Sequence, residues 1–283
     1  MRNLDTARRI NLNNPLTRDQ VAAYIPAVNA LSPHMSRSER YAHVTTMDVV
    51  DAVMSKGLQP YSVSAAKTRK EDRRGYQKHM LRFRMPGADV VGKGAPEVVI
   101  VNSHDGTSSF QVYMGMIVFA CANGLVIGSR WQSHSIGHRG GDIVPRVIDA
   151  AYTVVDDFAK LAPRVADMQR VQLTMDQASD FATRAHALRF GPVTDDDKRL
   201  LPSPQALLKP RRFEDANMSL WSVYNRVQEN VIAGGVRSKH LIPQAGGWNK
   251  VRRSSTRPIG TIDAQVKVNR SLWDMAEDLL IAA

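Results

Sequence analysis

The sequence predicts an α+β fold: a small antiparallel sheet packed by helices, with a helical C-terminal half. Three observations carry this. Residues 77–85 alternate strictly between two sets of side chains, and short β-branched runs flank them. From Val144 onward, apolar residues recur instead at three- and four-residue spacing. The strand-like runs come first and most helical ones follow, the order of an α+β chain rather than of alternating βα units.

The elements follow in order. Arg18–Tyr24 predicts a short helix that Pro26 ends, because proline disfavours helical angles at Ile25. Residues 45–57 predict a second helix, with Thr45 or Thr46 as cap, Val49, Val50 and Val53 as apolar face, and Gly57 as stop. Pro60–Ala65, Gln77–Met85 and Glu97–Val101 predict half-buried strands. In the second of these, His79, Leu81, Phe83 and Met85 share one face, and Lys78, Met80, Arg82 and Arg84 the other, taken as outward. Phe110–Gly128 fits either a buried helix or a strand pair turning near Asn123-Gly124. Val147, Ala151, Val154, Phe158 and Leu161 form one helical face, which Pro163 should kink or end. Thr174 and Gln177 are spaced as a capping box for a helix to Phe190, with Gly191 beyond it. Ala216–Ile232 and Asp263–Leu280 predict the last two helices, and 236–258 a basic loop. The organisation expected is 1–135, a mixed region with a basic hairpin, and 136–283, mainly helical and packed with the first as one continuous unit.

Composition narrows the function classes. At ~100–200 residues per domain, 283 residues make one large domain or two small ones. The one cysteine, Cys121, excludes an intramolecular disulfide framework and a cysteine-only zinc site. The opening residues lack an apolar core segment, so no signal peptide is expected. Phe110–Gly128 is nearly long enough to cross a bilayer, but Gln111, Asn123 and three glycines favour a buried core segment. A basic cytoplasmic protein with no membrane association is the expectation.

The net charge of +11 is concentrated. Residues 67–84 hold Lys67, Arg69, Lys70, Arg73, Arg74, Lys78, Arg82 and Arg84 against Glu71 and Asp72 only. Residues 236–258 hold six cations, among them Arg252, Arg253 and Arg257, and no acid. Residues 142–198 carry ten Asp against seven Lys or Arg, so the sign changes along the chain. Segregation of this kind suits a polyanion, because each phosphate contact releases condensed counterions. Tyr76 and Trp248 lie within the two basic stretches as stacking candidates, which suits single-stranded nucleic acid.

Candidate chemistry is sparse. His104-Asp105 in NSHDGTSS fits a general base or a metal ligand, and its composition fits a tight turn equally. His134 and His138 are four apart, but Gly137, Gly140 and Gly141 argue against helix there, and no metal site is expected. No phosphate-binding glycine loop, dinucleotide fingerprint or nucleophile elbow occurs, so no cofactor is expected.

VNSHDGTSSFQVYMGMIVFACANGLVIG resembles the central block of the phage/plasmid-like family catalogued as domain of unknown function 932. SRSERYAHVTTMDVVDAVMSKGLQPYSV, YNRVQENVIAGG and TRPIGTIDAQVKVNRSLWDMAEDLL resemble it too, so the likeness runs from about residue 17 to the C-terminus. The resemblance implies a mobile-element origin and carries no catalytic residues with it. The order helix, strand meander with basic hairpin, long helix is also similar to that of phage single-strand annealing proteins, which hold strands in a basic groove of an oligomeric ring.

The expectation is therefore a phage- or plasmid-derived DNA-binding protein, with single-strand annealing in recombination as its activity. The cations named above and Arg252, Arg253 and Arg257 would meet phosphates, and Tyr76 and Trp248 would stack bases. A homo-oligomer is expected, because 110–128 holds more apolar residues than one small sheet face needs. Two other classes fit: a host-defence antagonist acting by protein binding, and an enzyme centred on His104 and Asp105.

Overall fold

The computed structural model describes residues 6–87, 94–120, 123–192, 200–245, 247 and 249–283. Cys121 and Trp248, both singled out in the sequence, lie outside the described residues. The chain forms two compact units. The first is Met1–Arg164 with Gly260–Val266, and the second is Val165–Ile259 with Lys267–Ala283. The division falls at Arg164 rather than near residue 135, because the helix expected to open the second region packs on the sheet of the first.

In the first unit, β1 (Thr6–Ile10) precedes α1 (Arg18–Tyr24) and α2 (Thr46–Ser55). The Thr17 side chain and Gln20 form a capping box on α1, and Thr45 caps α2. The sheet is a meander of β2 (Gln59–Ala66), β3 (His79–Arg84), β4 (Gly94–Asn102) and β5 (Phe110–Val118), then β6 (Asn123–Val126) and β7 (Ser133–Ile136), which both pair with β5. With β1 on β2 it has seven strands, and every pairing is antiparallel. The ambiguous 110–128 stretch is thus a strand pair. Val118 pairs with Asn123, so Asn123-Gly124 opens the second strand instead of making the turn.

Of the three strands expected to be half-buried, β3 and β4 are buried on both faces, whereas β2 keeps Tyr61 and Ala65 only half-buried. Leu81, Ile100 and Val112 align across the sheet, as do Phe83, Val98 and Met114, and α2 and α3 (Ile143–Asp156) cover that side. On the other side Met80, Val99, Val101, Tyr113 and Val126 cluster with Ile262 and Val266. Both faces of β5 are therefore used within one unit, which accounts for the apolar surplus of 110–128 without self-association. The helix expected to break at Pro163 breaks at Asp157 instead, and α4 (Phe158–Arg170) contains the proline.

The second unit holds α5 (Met175–Phe190), α6 (Leu220–Ala233), a ribbon of β8 (Arg237–Pro243) with β9 (Asn249–Ser255), and most of α7 (Ile262–Ala282). Every residue of α6 from Leu220 to Val231 is buried. Its apolar side meets Trp273, which stands edge-on to Trp221 and Tyr224. Its polar side chains anchor their surroundings: Gln228 bonds Asn269, Asn230 donates to the Leu207 and Lys209 carbonyls, and Glu229 pairs with Arg212. The VQEN run is thus a set of satisfied buried groups. The expected loop at 236–258 is a two-stranded ribbon. Its faces are mostly exposed, so no apolar alternation marked it.

Candidate functional site

Two places in the fold collect the residues singled out in the sequence. The first is one end of the sheet in the first unit, where four loops are tied by their backbones. His34 N–H donates to the His104 carbonyl, His104 N–H to Tyr76, and Ala42 N–H to His138. Five of the eight histidines gather there: His34, His43, His79, His104 and His138.

Thr46, the first residue of α2, organises them. Its hydroxyl lies 2.8 Å from His79 Nε2, 3.0 Å from His104 Nε2 and 3.0 Å from Asn102 Nδ2, all fully buried. His79 Nδ1 must donate to the Gln77 carbonyl at 2.9 Å, so its neutral ring accepts at Nε2 from the Thr46 hydroxyl. Thr46 oxygen then accepts from Asn102 and from His104 Nε2–H. Asn102 Oδ1 in turn accepts from His138 Nε2–H at 2.9 Å. One hydroxyl proton therefore fixes every tautomer in the chain of bonds. The Nδ1 atoms of His43, His104 and His138 are left bare.

Burial pushes His104 down to about 2, helped by the neighbouring His79, His43 and His138. Burial likewise takes His79 down to about 4 and lowers His138. These rings are neutral at physiological pH. Asp105 goes a different way. Burial works to raise it, but the Thr107 hydroxyl at 2.6 Å, the Thr107 N–H, Ser103 and Arg73 outweigh that and hold it below the ordinary carboxylate value. His104 and Asp105 adjoin in sequence, yet their side chains have different partners, so they form no acid–base dyad here. Among the described residues, no group of three His, Cys, Asp or Glu is placed to hold a metal ion.

The basic loop 67–78 lies against this cluster. Lys67, Arg69, Lys70 and Arg74 are exposed, Arg74 facing Glu71 at 3.5 Å. Arg73 reaches Asp105 at 3.5 Å, and Tyr76 stands edge-on to His34 at 5.4 Å, half-buried. Three of the expected phosphate contacts belong elsewhere. Lys78 is clamped on both oxygens of Asp263 at 2.7 Å. Arg82 and Arg84 do not point outward: they lie buried on the sheet and share Glu97, at 2.8 and 3.0 Å. Gly115 and Gly124 leave the trough for Arg82, since a Cβ on Gly124 would fall 2.6 Å from its Cζ. The sequence reading missed Glu97 because it sits on a different strand from both arginines.

The second place is the ribbon. Its open face carries Arg237, Lys239, Leu241 and Pro243 from β8 against Asn249, Val251, Arg253 and Ser255 from β9, all exposed. Its other face carries Ser238, His240, Lys250, Arg252 and Ser254. Ser238 and Ser254 bond each other at 2.6 Å, and Ser254 donates to the Leu200 carbonyl. Arg257 follows the ribbon, exposed, with its carbonyl taken by Arg189. None of Arg237, Lys239, Lys250, Arg252 and Arg253 has an ion pair among the described residues. Lys239 stands directly opposite Arg253, and His240 opposite Arg252.

Of the residues missed in the sequence, His34, His43, Thr46, His79 and Asn102 come from distant segments with no local spacing to join them. Arg237, Lys239 and Lys250 were visible only as charge.

The comparisons with known proteins bear on the whole chain. A family model described as a domain of unknown function, DUF932, matches residues 33–273. Two proteins of Escherichia coli strain K12, the UPF0380 proteins YfjQ and YafZ, are each 38% identical to this chain over 278 residues, covering 97% of it and 95% of their own length. No solved structure matches. Both the histidine cluster and the ribbon fall inside the matched residues, and the chain belongs to the DUF932 family.

Proposed function

We propose that this protein binds DNA, with the β8–β9 ribbon as its main phosphate contact and annealing of single strands as its activity. The observation that carries the proposal is the cross-strand juxtaposition of Lys239 and Arg253 on an open face with no acid between residues 236 and 258. Like charges directly opposite on paired strands destabilise the pairing. A local arrangement that costs stability, with no ion pair to relieve it among the described residues, fits a surface that an anion completes. Leu241 and Val251, 61% and 47% exposed, pair on the same face. An unstacked base can cover such an apolar strip, whereas a duplex presents phosphate and sugar there, so single strands are the preferred form. Lys67, Arg69, Lys70 and Arg74 make a second contact. We place the work in the bacterial cytoplasm, where DNA is available. Binding, rather than bond cleavage, is favoured by the His104 ring, whose low basicity makes it a poor general base near neutral pH.

The test is binding of labelled single- and double-stranded oligonucleotides across a salt series. The expected result is tighter single-strand binding, with log affinity falling linearly against log salt. No binding of either form at about 0.05 M salt would overturn the proposal. A strand-annealing assay with complementary oligonucleotides then separates annealing from mere binding.

A further inference from the structure

Beside the ribbon, the second unit contains a cavity of about 640 Å³. We infer that it takes one unstacked nucleotide of the bound single strand; this rests on the DNA-binding proposal above and deepens it. The volume lies within the ~300–1,000 Å³ of pockets that enclose small organic ligands. Among the described residues, Leu201, Pro202, Pro204 and Ala187 give it apolar walls, which suit the flat face of a base. The His186 ring lines it too, held in place by a bond from Nε2 to the Pro202 carbonyl at 2.9 Å.

Polar groups enter from the ribbon. Ser238 and His240 line the cavity, and His240 Nε2 is engaged by Ser238 at 2.9 Å and Ser254 at 3.2 Å. His240 Nδ1 makes no hydrogen bond to any described residue, so it is available to a base edge. The mouth is where the two sites join. Arg237 and Lys239 line this cavity, and they also line a second hollow with Arg253 and Ser255 on the ribbon. A phosphate chain held by these cations therefore passes the cavity mouth. Turning a base inward from a single strand breaks no pairing, whereas from a duplex it must first unpair and unstack. The cavity thus supplies a structural reason for single-strand preference that is independent of the apolar strip.

The experiment uses the full chain and fills the cavity without touching a cation. Ala187→Trp does so from an exposed position on α5, and Ala206→Leu does so from the Pro204–Leu208 turn. The probe is a single strand of about 15 nucleotides carrying one 2-aminopurine, with its duplex as control. Wild-type protein should brighten the probe as the analogue unstacks. Each variant should lose the brightening and bind the single strand about tenfold more weakly, with duplex affinity within about twofold. Melting temperature checks the fold, and if one variant melts early the other decides. Folded variants that keep wild-type single-strand affinity and brightening overturn the cavity inference and leave DNA binding standing. A wild-type protein that binds neither form overturns the DNA-binding proposal itself.

Discussion

Thr46 has one hydroxyl proton and three polar partners, and that imbalance makes it the most informative single residue. Thr46→Val keeps the shape but removes both donor and acceptor, leaving His79 Nε2, His104 Nε2–H and Asn102 Nδ2 facing a methyl group. Each buried orphan costs about 1–3 kcal/mol, so the expected loss is at least about 3 kcal/mol in chemical denaturation, with Thr46→Ser within about 1 kcal/mol of wild type. The same network sets an acid limit. The His79 value in the fold is about 4 against an ordinary 6.5, because burial disfavours the imidazolium. Below about pH 6.5 the unfolded chain takes up a proton that the folded chain refuses until about pH 4. Stability should therefore be full above about pH 6.5 and fall progressively toward about pH 4, with His104 and His138 acting in the same direction. Denaturation midpoints measured from about pH 7.5 to about pH 4.5 check this, and a flat profile would show that the rings are not held neutral by the fold. Little of this was legible in the sequence. His104-Asp105 stood out because the two are adjacent, yet the real partners of His104 come from residues 43, 46, 79 and 138, and only the folded chain brings them together.

Helix caps, whose signal is complete within one turn, were read correctly, whereas the Asn123-Gly124 turn and the break at Pro163 were displaced by packing, and features that depend on a distant partner were missed. Thr174 and Gln177 lie within one turn, and the helix they were expected to cap starts where they place it. Arg82 and Arg84 alternate with Leu81 and Phe83 as solvent-facing residues do, but Glu97 on β4 draws them onto the sheet. The trough they occupy gives a sharp test. Arg82 Nη1 is fixed between Glu97 Oε2 at 2.8 Å and the Leu125 carbonyl at 2.9 Å, so it has little freedom to yield to a new methyl group. Gly124→Ala should cost about 1–3 kcal/mol through that clash, whereas Gly137→Ala, which meets nothing within 4 Å, should stay within about 0.5 kcal/mol. The ribbon supplies the opposite expectation. Replacing Lys239 and Arg253 together by Gln removes a like-charge pair, so stability should hold or rise slightly while DNA affinity falls. Loss of both stability and binding would instead make the two side chains structural.

Across the whole molecule, the segregation of charge was the most legible property, and the structure sorts it into two kinds. Part of the 67–84 charge is internal: Lys78 is paired with Asp263, and Arg82 and Arg84 share Glu97, within the first unit. What remains exposed is Lys67, Arg69, Lys70 and Arg74 in one unit and the ribbon cations in the other. If one DNA strand engages both sets, their contributions to counterion release must add. Each lost phosphate contact flattens the slope of log affinity against log salt by about 0.7 on single strands. Arg69→Gln with Lys70→Gln should therefore lower the slope by about 1.4, Lys239→Gln with Arg253→Gln by about the same, and all four by about 2.8. The controls are Arg82 and Arg84. Because they are buried on Glu97, their replacement should lower stability, with the slope of the folded fraction unchanged. A four-fold variant whose slope falls no further than that of one pair would mean that only one unit touches the strand. The pair that carries the whole effect then identifies which.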